Sequence, residues 1–260
     1  MRKSPVIVRM PDQKLARFIS HYWLSVSNPF PAQRILPDGR VDLVIESTGS
    51  AAQSWIYGTT TRPATVAITP GFHYLGIQFK PGQSRHFVTL PTQELTDSHA
   101  PAQEVLRFLL DGIAEQIGSD GLFSALDDIL IRAITRRAPQ PHRVDMAIQR
   151  LTCQNSVRID DLARSLGVTR RHFERLFLDC VGVPPKTFAA IQRYRAATRA
   201  LSRCARGGLA DVAVAMGYAD QSHMTRDFTR LTGDTPLRFL RGDVAFVQDF
   251  PTAQADTGDL

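Results

Sequence analysis

The chain has 260 residues, 43% hydrophobic and 22% charged, with 31 Lys+Arg against 25 Asp+Glu and a formal net charge of +6. That length and apolar content suit one large or two modest domains and exclude a mostly disordered chain. No apolar run reaches the ~18 residues of a membrane-spanning helix. Arg9, Asp12 and Lys14 break up the start of the chain, so neither a membrane partner nor a secretory signal is expected.

Residues 17–80 read mostly as strands. Segments 18–26, 41–45, 55–57, 65–69 and 73–79 are rich in β-branched and aromatic residues. Turn formers separate them at Asn28-Pro29, Pro37-Asp38-Gly39, Thr48-Gly49-Ser50 and Pro70-Gly71. Short strands at this spacing predict a small antiparallel barrel or sandwich. After Pro81 the apolar period becomes helical. Pro101 stands at a helix start, followed by Val105, Leu106, Leu109, Leu110 and Ile113. A second helix should bury Leu122, Phe123, Leu126, Ile129, Leu130 and Ile134. Arg136, Arg137, Pro139 and Pro141 read as a short stiff linker. The expected class is α+β: a β-rich domain over 1–139 with a helical pair at about 101–137, an all-α domain over 142–241, and an acidic tail over 242–260.

Charge follows this division. Residues 1–139 carry 14 basic and 12 acidic groups, residues 142–241 carry 17 and 9, and residues 242–260 carry none and 4. The helical block is therefore the basic one, although only four of the 31 cations are lysines and the whole chain favours arginine. Charge asymmetry of this kind points towards nucleic acid.

The basic block contains one pattern twice. Asp161-Leu162-Ala163-x-x-Leu166-Gly167-Val168 matches Asp211-Val212-Ala213-x-x-Met216-Gly217-Tyr218 at an offset of 50. Beyond the turn the offset is 51, pairing Phe173, Arg175, Phe177, Gly182, Pro185 and Phe188 with Met224, Arg226, Phe228, Gly233, Pro236 and Phe239. Each copy reads as a short helix, a glycine that ends it by taking φ > 0, and a second helix with a capped start. Two short helices joined in this way form a helix-turn-helix, whose second helix enters the major groove of DNA. A glycine-broken helix pair also occurs in all-α proteins that never touch DNA; duplication within a basic block, with polar residues outward in both copies, favours DNA. Residues 186–203 between the copies lack Gly and Pro and repeat apolar residues at helical spacing. Eighteen helical residues span ~27 Å. With packing at each end, that rod can set two recognition helices about one DNA turn apart, ~34 Å.

The segment from about Asp160 to Arg241 resembles the DNA-binding domain of the AraC/XylS family of bacterial transcription regulators. The resemblance is carried by Leu162-Ala163, Gly167-Val168-Thr169, Phe173, Leu176-Phe177 and Gly182, then by Arg193-Tyr194, Ala197 and Leu201. In the second half it is carried by Val212-Ala213, Met216-Gly217-Tyr218, Gln221-Ser222, Phe228, Gly233, Pro236 and Arg238. Two departures stand out: His223-Met224 where an aromatic is frequent, and Asp234 where Val is common. The resemblance implies double-stranded DNA as partner and a cytoplasmic regulator. RNA polymerase becomes a second partner if the protein activates, and a homodimer is a further possibility.

Base reading is expected from Arg171, Glu174 and Arg175 in the first copy, and from Gln221, Ser222, His223, Thr225 and Arg226 in the second. Arg suits guanine, Glu suits cytosine N4 and Gln suits adenine. Glu174 has an alternative use as a helical partner of Arg170. Arg170, Lys186 and Arg238 are expected to meet phosphates.

Residues 34–46, with Gly58-x-x-Thr61-Arg62-Pro63 and Gly76-x-x-Phe79-x-Pro81-Gly82, resemble an N-terminal module found in a subset of these regulators. Family logic implies a cupin-like sensor or dimerisation domain there; in the sensor alternative the partner is a small-molecule effector. Trp55, Tyr57, His73 and Tyr74 are candidate pocket residues, ordinary core being the alternative. No paired-carboxylate, Ser-His-Asp or metal-spaced histidine pattern stands out, so no catalytic residue, metal or cofactor is expected. Cys153, Cys180 and Cys204 form no C-x-x-C pair; they fit a reducing compartment, with Cys180 a buried structural thiol. The competing reading is an enzymatic or ligand-binding β-domain with a helical appendage.

Overall fold

A computed structural model describes residues 6–26, 31–49, 51–135, 143–154, 157–203 and 208–240. The linker expected around Pro139–Pro141, the acidic tail and Cys204 lie outside the described residues.

Eight strands are described: β1 (Val6–Arg9), β2 (Ile19–Ser25), β3 (Ala32–Ile35), β4 (Asp42–Ser47), β5 (Ala52–Tyr57), β6 (Ala64–Ala67), β7 (His73–Phe79) and β8 (His99–Pro101). They form an antiparallel six-stranded sheet of order β1-β2-β7-β4-β5-β8 and a separate β3-β6 pair. Strand alternation gives the large sheet two different faces. Tyr22 and Leu24, Leu43 and Ile45, and Leu75, Ile77 and Phe79 point into a core with Leu15, Phe18 and Phe87. The intervening positions, among them Trp23, Asp42, Glu46, Tyr74 and Gln78, point to the other side and line a cavity that β3 and β6 cover. Trp23 lies opposite Gly76 in register. A Cβ at Gly76 would stand only 1.9 Å from the indole, so this strand glycine makes room for the ring.

The core face is covered by a helix, Leu122–Thr135, which buries Leu122, Leu126 and Leu130. Tyr22 Oη donates to Asp127 Oδ1 of that helix at 2.7 Å, tying sheet to helix. The other member of the expected helical pair shrinks to a single turn, Ala102–Val105 (α1; the long helix is α2). Beyond it, strand-like pairing wins over helical spacing. Leu106 is extended and bridges Val88, and the Arg107 N–H donates to Phe87 O at 2.9 Å. Leu109, expected on an apolar face, is 72% exposed.

The C-terminal domain comprises α3 (Arg143–Cys153), α4 (Ile159–Ser165), α5 (Arg170–Val181), α6 (Pro185–Arg203), α7 (Leu209–Ala215), α8 (Gln221–Thr232) and α9 (Pro236–Leu240). It has two cores. Phe173 and Phe177 pack with Leu162, Ala163, Val144 and Phe188 in the first. Met224 and Phe228 pack with Val212, Ala213, Ile191 and Tyr194 in the second. Helix α6 thus serves both, giving Phe188 to one and Ile191, Tyr194, Ala197 and Leu201 to the other.

Candidate DNA interface and the cavity behind it

The two helix-turn-helix units repeat each other down to single hydrogen bonds. Gly167 and Gly217 take φ of 68° and 78° in the turns. The following amides fold back in the same way, Val168 N–H to Ala163 O at 3.2 Å and Tyr218 N–H to Ala213 O at 2.9 Å. Each recognition helix starts on a side-chain cap. Thr169 Oγ1 accepts from His172 N at 3.3 Å, and an Asp220 carboxylate oxygen accepts from His223 N at 2.6 Å. Polar side chains are thereby left on the outer, N-terminal part of each recognition helix.

On α5, Arg171 and Arg175 are exposed and Glu174 is half-buried. Glu174 accepts from Arg170 Nε at 2.9 Å, and Arg170 also reaches Asp160 at 3.3 Å. In this state the first unit's carboxylate therefore turns along its own helix. On α8, Gln221, Ser222 and Arg226 are exposed, while Thr225 and His223 are half-buried. His223 stands edge-on to Tyr218, with centroids 5.3 Å apart, and its Nδ1 lies 3.5 Å from the Ala219 amide. Lys186, at the start of α6, and Arg238, on α9, are exposed. His172, the counterpart of His223 at the offset of 51, lies beside Arg175 at 3.1 Å; the repeat itself contains that signal, although the sequence reading singled out only His223.

The opposite ends of the recognition helices dock on the N-terminal domain. The last carbonyls of a helix lack intrahelical donors. For α5 three threonine hydroxyls of the β-rich domain supply them: Thr59 donates to Val181 O at 2.7 Å, Thr92 to Cys180 O at 2.9 Å, and Thr96 to Gly182 O. Burial pushes the Cys180 thiol up to about 11, which keeps it in the unreactive thiol form. Helix α3 is held through Asp145, bound by both oxygens to Arg85 at 2.8 and 2.9 Å. Helix α6 donates to the 37–38 turn: Tyr194 Oη to Pro37 O at 2.7 Å, Arg195 to Asp38 O at 3.1 Å and Gln192 to the same oxygen at 3.3 Å. Leu36 enters the second helical core, and Arg34 binds Asp234 at 2.8 Å and the Thr232 carbonyl. Arg34, Leu36, Pro37, Asp38, Gly182 and Tyr194 fall within the segments that carry the resemblance, but nothing in their spacing marks them as interdomain contacts; Thr59, Thr92, Thr96 and Arg85 carry no motif.

Behind this interface lies a cavity of about 410 Å³ between the two sheets. Of the candidate pocket residues, Tyr57 and Tyr74 line it. Trp55 and His73 are not among its lining residues. Trp55 stands edge-on to His99, with centroids 5.3 Å apart. His73 has the strand parity of Leu75 and Ile77, which belong to the core face. Trp23, His21, Ser25, Asp38, Arg40, Asp42, Glu46 and Gln78 also form the lining. Alternation in β2, β4 and β7 is the signal that could have found His21, Trp23, Ser25, Asp42, Glu46 and Gln78; Asp38 and Arg40, on the turn before β4, carry no such signal.

Burial, and Asp38 alongside, push the Asp42 carboxyl up to about 7, against the pull of Gln78, Arg40 and Trp23. Burial and the cations Arg40 and Arg195 drive His21 down to about 4, so it is neutral at pH 7. Asp38 joins the cavity to the DNA-binding half. Its side chain lines the cavity while its carbonyl accepts from α6.

Residues 162–242 match a family model described as a helix-turn-helix domain. The C-terminal part of the chain, residues 162–242, is a helix-turn-helix DNA-binding domain. Residues 8–101 match a model described as a domain of unknown function (DUF6597). No curated protein matches the chain. Among solved structures, a transcriptional regulator with an AraC-type DNA-binding domain from Chromobacterium violaceum is similar at 22% identity, over 38% of this chain and 89% of its own, with a TM-score of 0.36. The DNA-binding domain of AdpA, solved with a target DNA, is similar at 24% identity over 38% of this chain and 86% of its own, with a TM-score of 0.34. ToxT from Vibrio cholerae is similar over 92% of this chain and 98% of its own, at 9% identity and a TM-score of 0.45. The helix-turn-helix match spans both recognition helices, α5 and α8, and the connecting helix α6.

Proposed function

We propose that this transcription regulator reads two adjacent major-groove segments about one helical turn apart, and that its N-terminal domain senses a small molecule in the cavity. The observation that carries the reading is the duplicated unit, with Arg171 and Arg175 on one recognition helix and Gln221, Ser222 and Arg226 on the other, all exposed. Arg can bind guanine O6 and N7 with two hydrogen bonds, and Gln can do the same to adenine. Glu174 would exchange Arg170 for a cytosine amine on binding, releasing Arg170 to a phosphate. Lys186 and Arg238 lie near helix N-termini, where backbone amides add to phosphate attraction. Sensing is supported by Asp38, through which anything that shifts the cavity wall also shifts a turn held by the connecting helix. Whether the regulator activates, through RNA polymerase, and whether it acts as a homodimer belong to the same proposal.

A gel-shift titration of promoter fragments across a salt series tests the DNA reading. Affinity should fall with salt at a log–log slope of about −0.9 for each phosphate neutralised. Absence of binding at low salt would overturn it and favour the β-rich half as the working unit.

A further inference from the structure

We infer that the cavity between the two sheets takes a compact organic cation, a protonated amine carried on an aromatic or other apolar body. The inference rests on the sensing role proposed for the N-terminal domain and names the chemistry of what is sensed.

Three observations support it. First, the cavity holds a polar atom that lacks a mate. Ser25 is 2% exposed, lines the cavity, and its Oγ has no hydrogen-bond partner among the described residues. A buried hydroxyl left unsatisfied is costly, and a ligand group is one way to satisfy it.

Second, the charges facing the space are unbalanced. Asp38, Asp42 and Glu46 belong to the lining, whereas among its described residues Arg40 is the only arginine or lysine, with Arg195 of α6 also acting on His21. Arg40 already donates to Gln78, and Gln78 in turn donates to Asp38 at 3.2 Å. Asp97, at the rim, is engaged by Thr61 at 2.6 Å. His21 contributes no charge at neutral pH. An anion entering this space would meet the carboxylates of Asp38 and Glu46, whereas a cation would complement them.

Third, the remaining wall is aromatic and aliphatic. Trp23, Tyr57 and Tyr74 present rings, and Ile35, Val44 and Val66 complete the surface. Ring faces attract ammonium groups, most strongly when water is excluded. A volume of about 410 Å³ lies within the range that small-molecule sites span.

The test uses three probes that share one body and differ in charge: 2-phenylethylamine, 2-phenylethanol and phenylacetate. Each is titrated calorimetrically into the full chain, with thermal shift in parallel. The amine should bind at least ~10-fold more tightly than the alcohol, and the carboxylate more weakly than either. In Glu46→Gln the preference for the amine should fall by about 10-fold, with alcohol affinity held within about 2-fold as the sign that the cavity is intact. Binding of the alcohol or carboxylate without preference for the amine would overturn the cationic class and leave sensing standing. Binding of none of the three would overturn the inference together with the sensing role. DNA binding, measured separately, would be untouched by either result.

Discussion

Arg34 and Asp234, 200 residues apart, meet at 2.8 Å across the boundary between the β-rich and DNA-binding halves. Asp234 is one of the two positions where the sequence departs from the AraC/XylS pattern, and the structure gives that departure a physical reason. A carboxylate just beyond the second recognition helix holds the N-terminal domain, while the Arg34 side chain also reaches the Thr232 carbonyl. Each half of the DNA-binding domain is thus gripped separately, the first by Thr59, Thr92 and Thr96 and the second by Arg34 and Leu36.

The ion pair is partly shielded, with side-chain exposures of 28% and 14%, so it should contribute more than an open surface pair. Arg34→Ala, Asp234→Ala and the double variant form a cycle in urea unfolding. A coupling of about 0.5–3 kcal/mol is expected. Strict additivity would show that the two residues merely lie close.

Gly39 should tolerate no side chain. Its φ of +77° is left-handed, and a Cβ there would stand 2.7 Å from the Phe188 ring of α6. Gly39→Ala should therefore destabilise the chain by at least ~1–2 kcal/mol from backbone strain alone, more if Phe188 cannot move. Unfolding unchanged within about 0.5 kcal/mol would contradict this packing.

For DNA, Arg175→Ala and Arg226→Ala should each cost ~1–3 kcal/mol on a specific site and relax preference at one base pair. Lys186→Ala and Arg238→Ala should weaken all sequences alike and reduce the salt slope by about 1. Competition titrations against randomised fragments separate the two patterns. An arginine variant that keeps its base preference would remove that residue from the reading.

Two cavity groups pull stability in opposite directions with pH. His21 is held down to about 4 from an unfolded value near 6.5; between these the unfolded chain binds more protons, so this group makes stability rise with pH. Asp42 is raised to about 7 from about 3.8; there the folded chain binds more protons, so this group makes stability fall as pH rises towards 7. The two should largely cancel between about pH 4 and 6.5. His21→Gln should expose the Asp42 trend, with stability falling from pH 4 to 7, and Asp42→Asn the reverse. The groups around the pair are Trp23 on β2, Asp38 and Arg40 on the adjoining turn, Gln78 on β7 and Arg195 on α6. Chemical denaturation over this range checks both signs, and parallel profiles for the two variants would contradict the assignment.

The sequence made the DNA-binding half legible because repetition reports on itself. An offset of 50 that becomes 51 at the turn located Gly167, Gly217 and both recognition helices without any structure. Five strands were legible from β-branched and aromatic runs. The edge strands β1 and β8, and β3, were not, since their pairing depends on neighbours rather than on composition. Leu106 and Leu109 misled, because helical spacing there was overridden by pairing with Val88 and Phe87. The cavity was half legible: Tyr57 and Tyr74 lie on it, but Asp42, Glu46 and Ser25 become site residues only once alternation is combined with the covering β3-β6 pair.

In-vitro selection of DNA by the full-length chain tests the central claim most directly. The account predicts a two-block motif, with block centres about 10–10.5 base pairs apart, one block losing information in Arg175→Ala and the other in Arg226→Ala. A single block indifferent to one of these variants, or no enrichment at low salt, would contradict it.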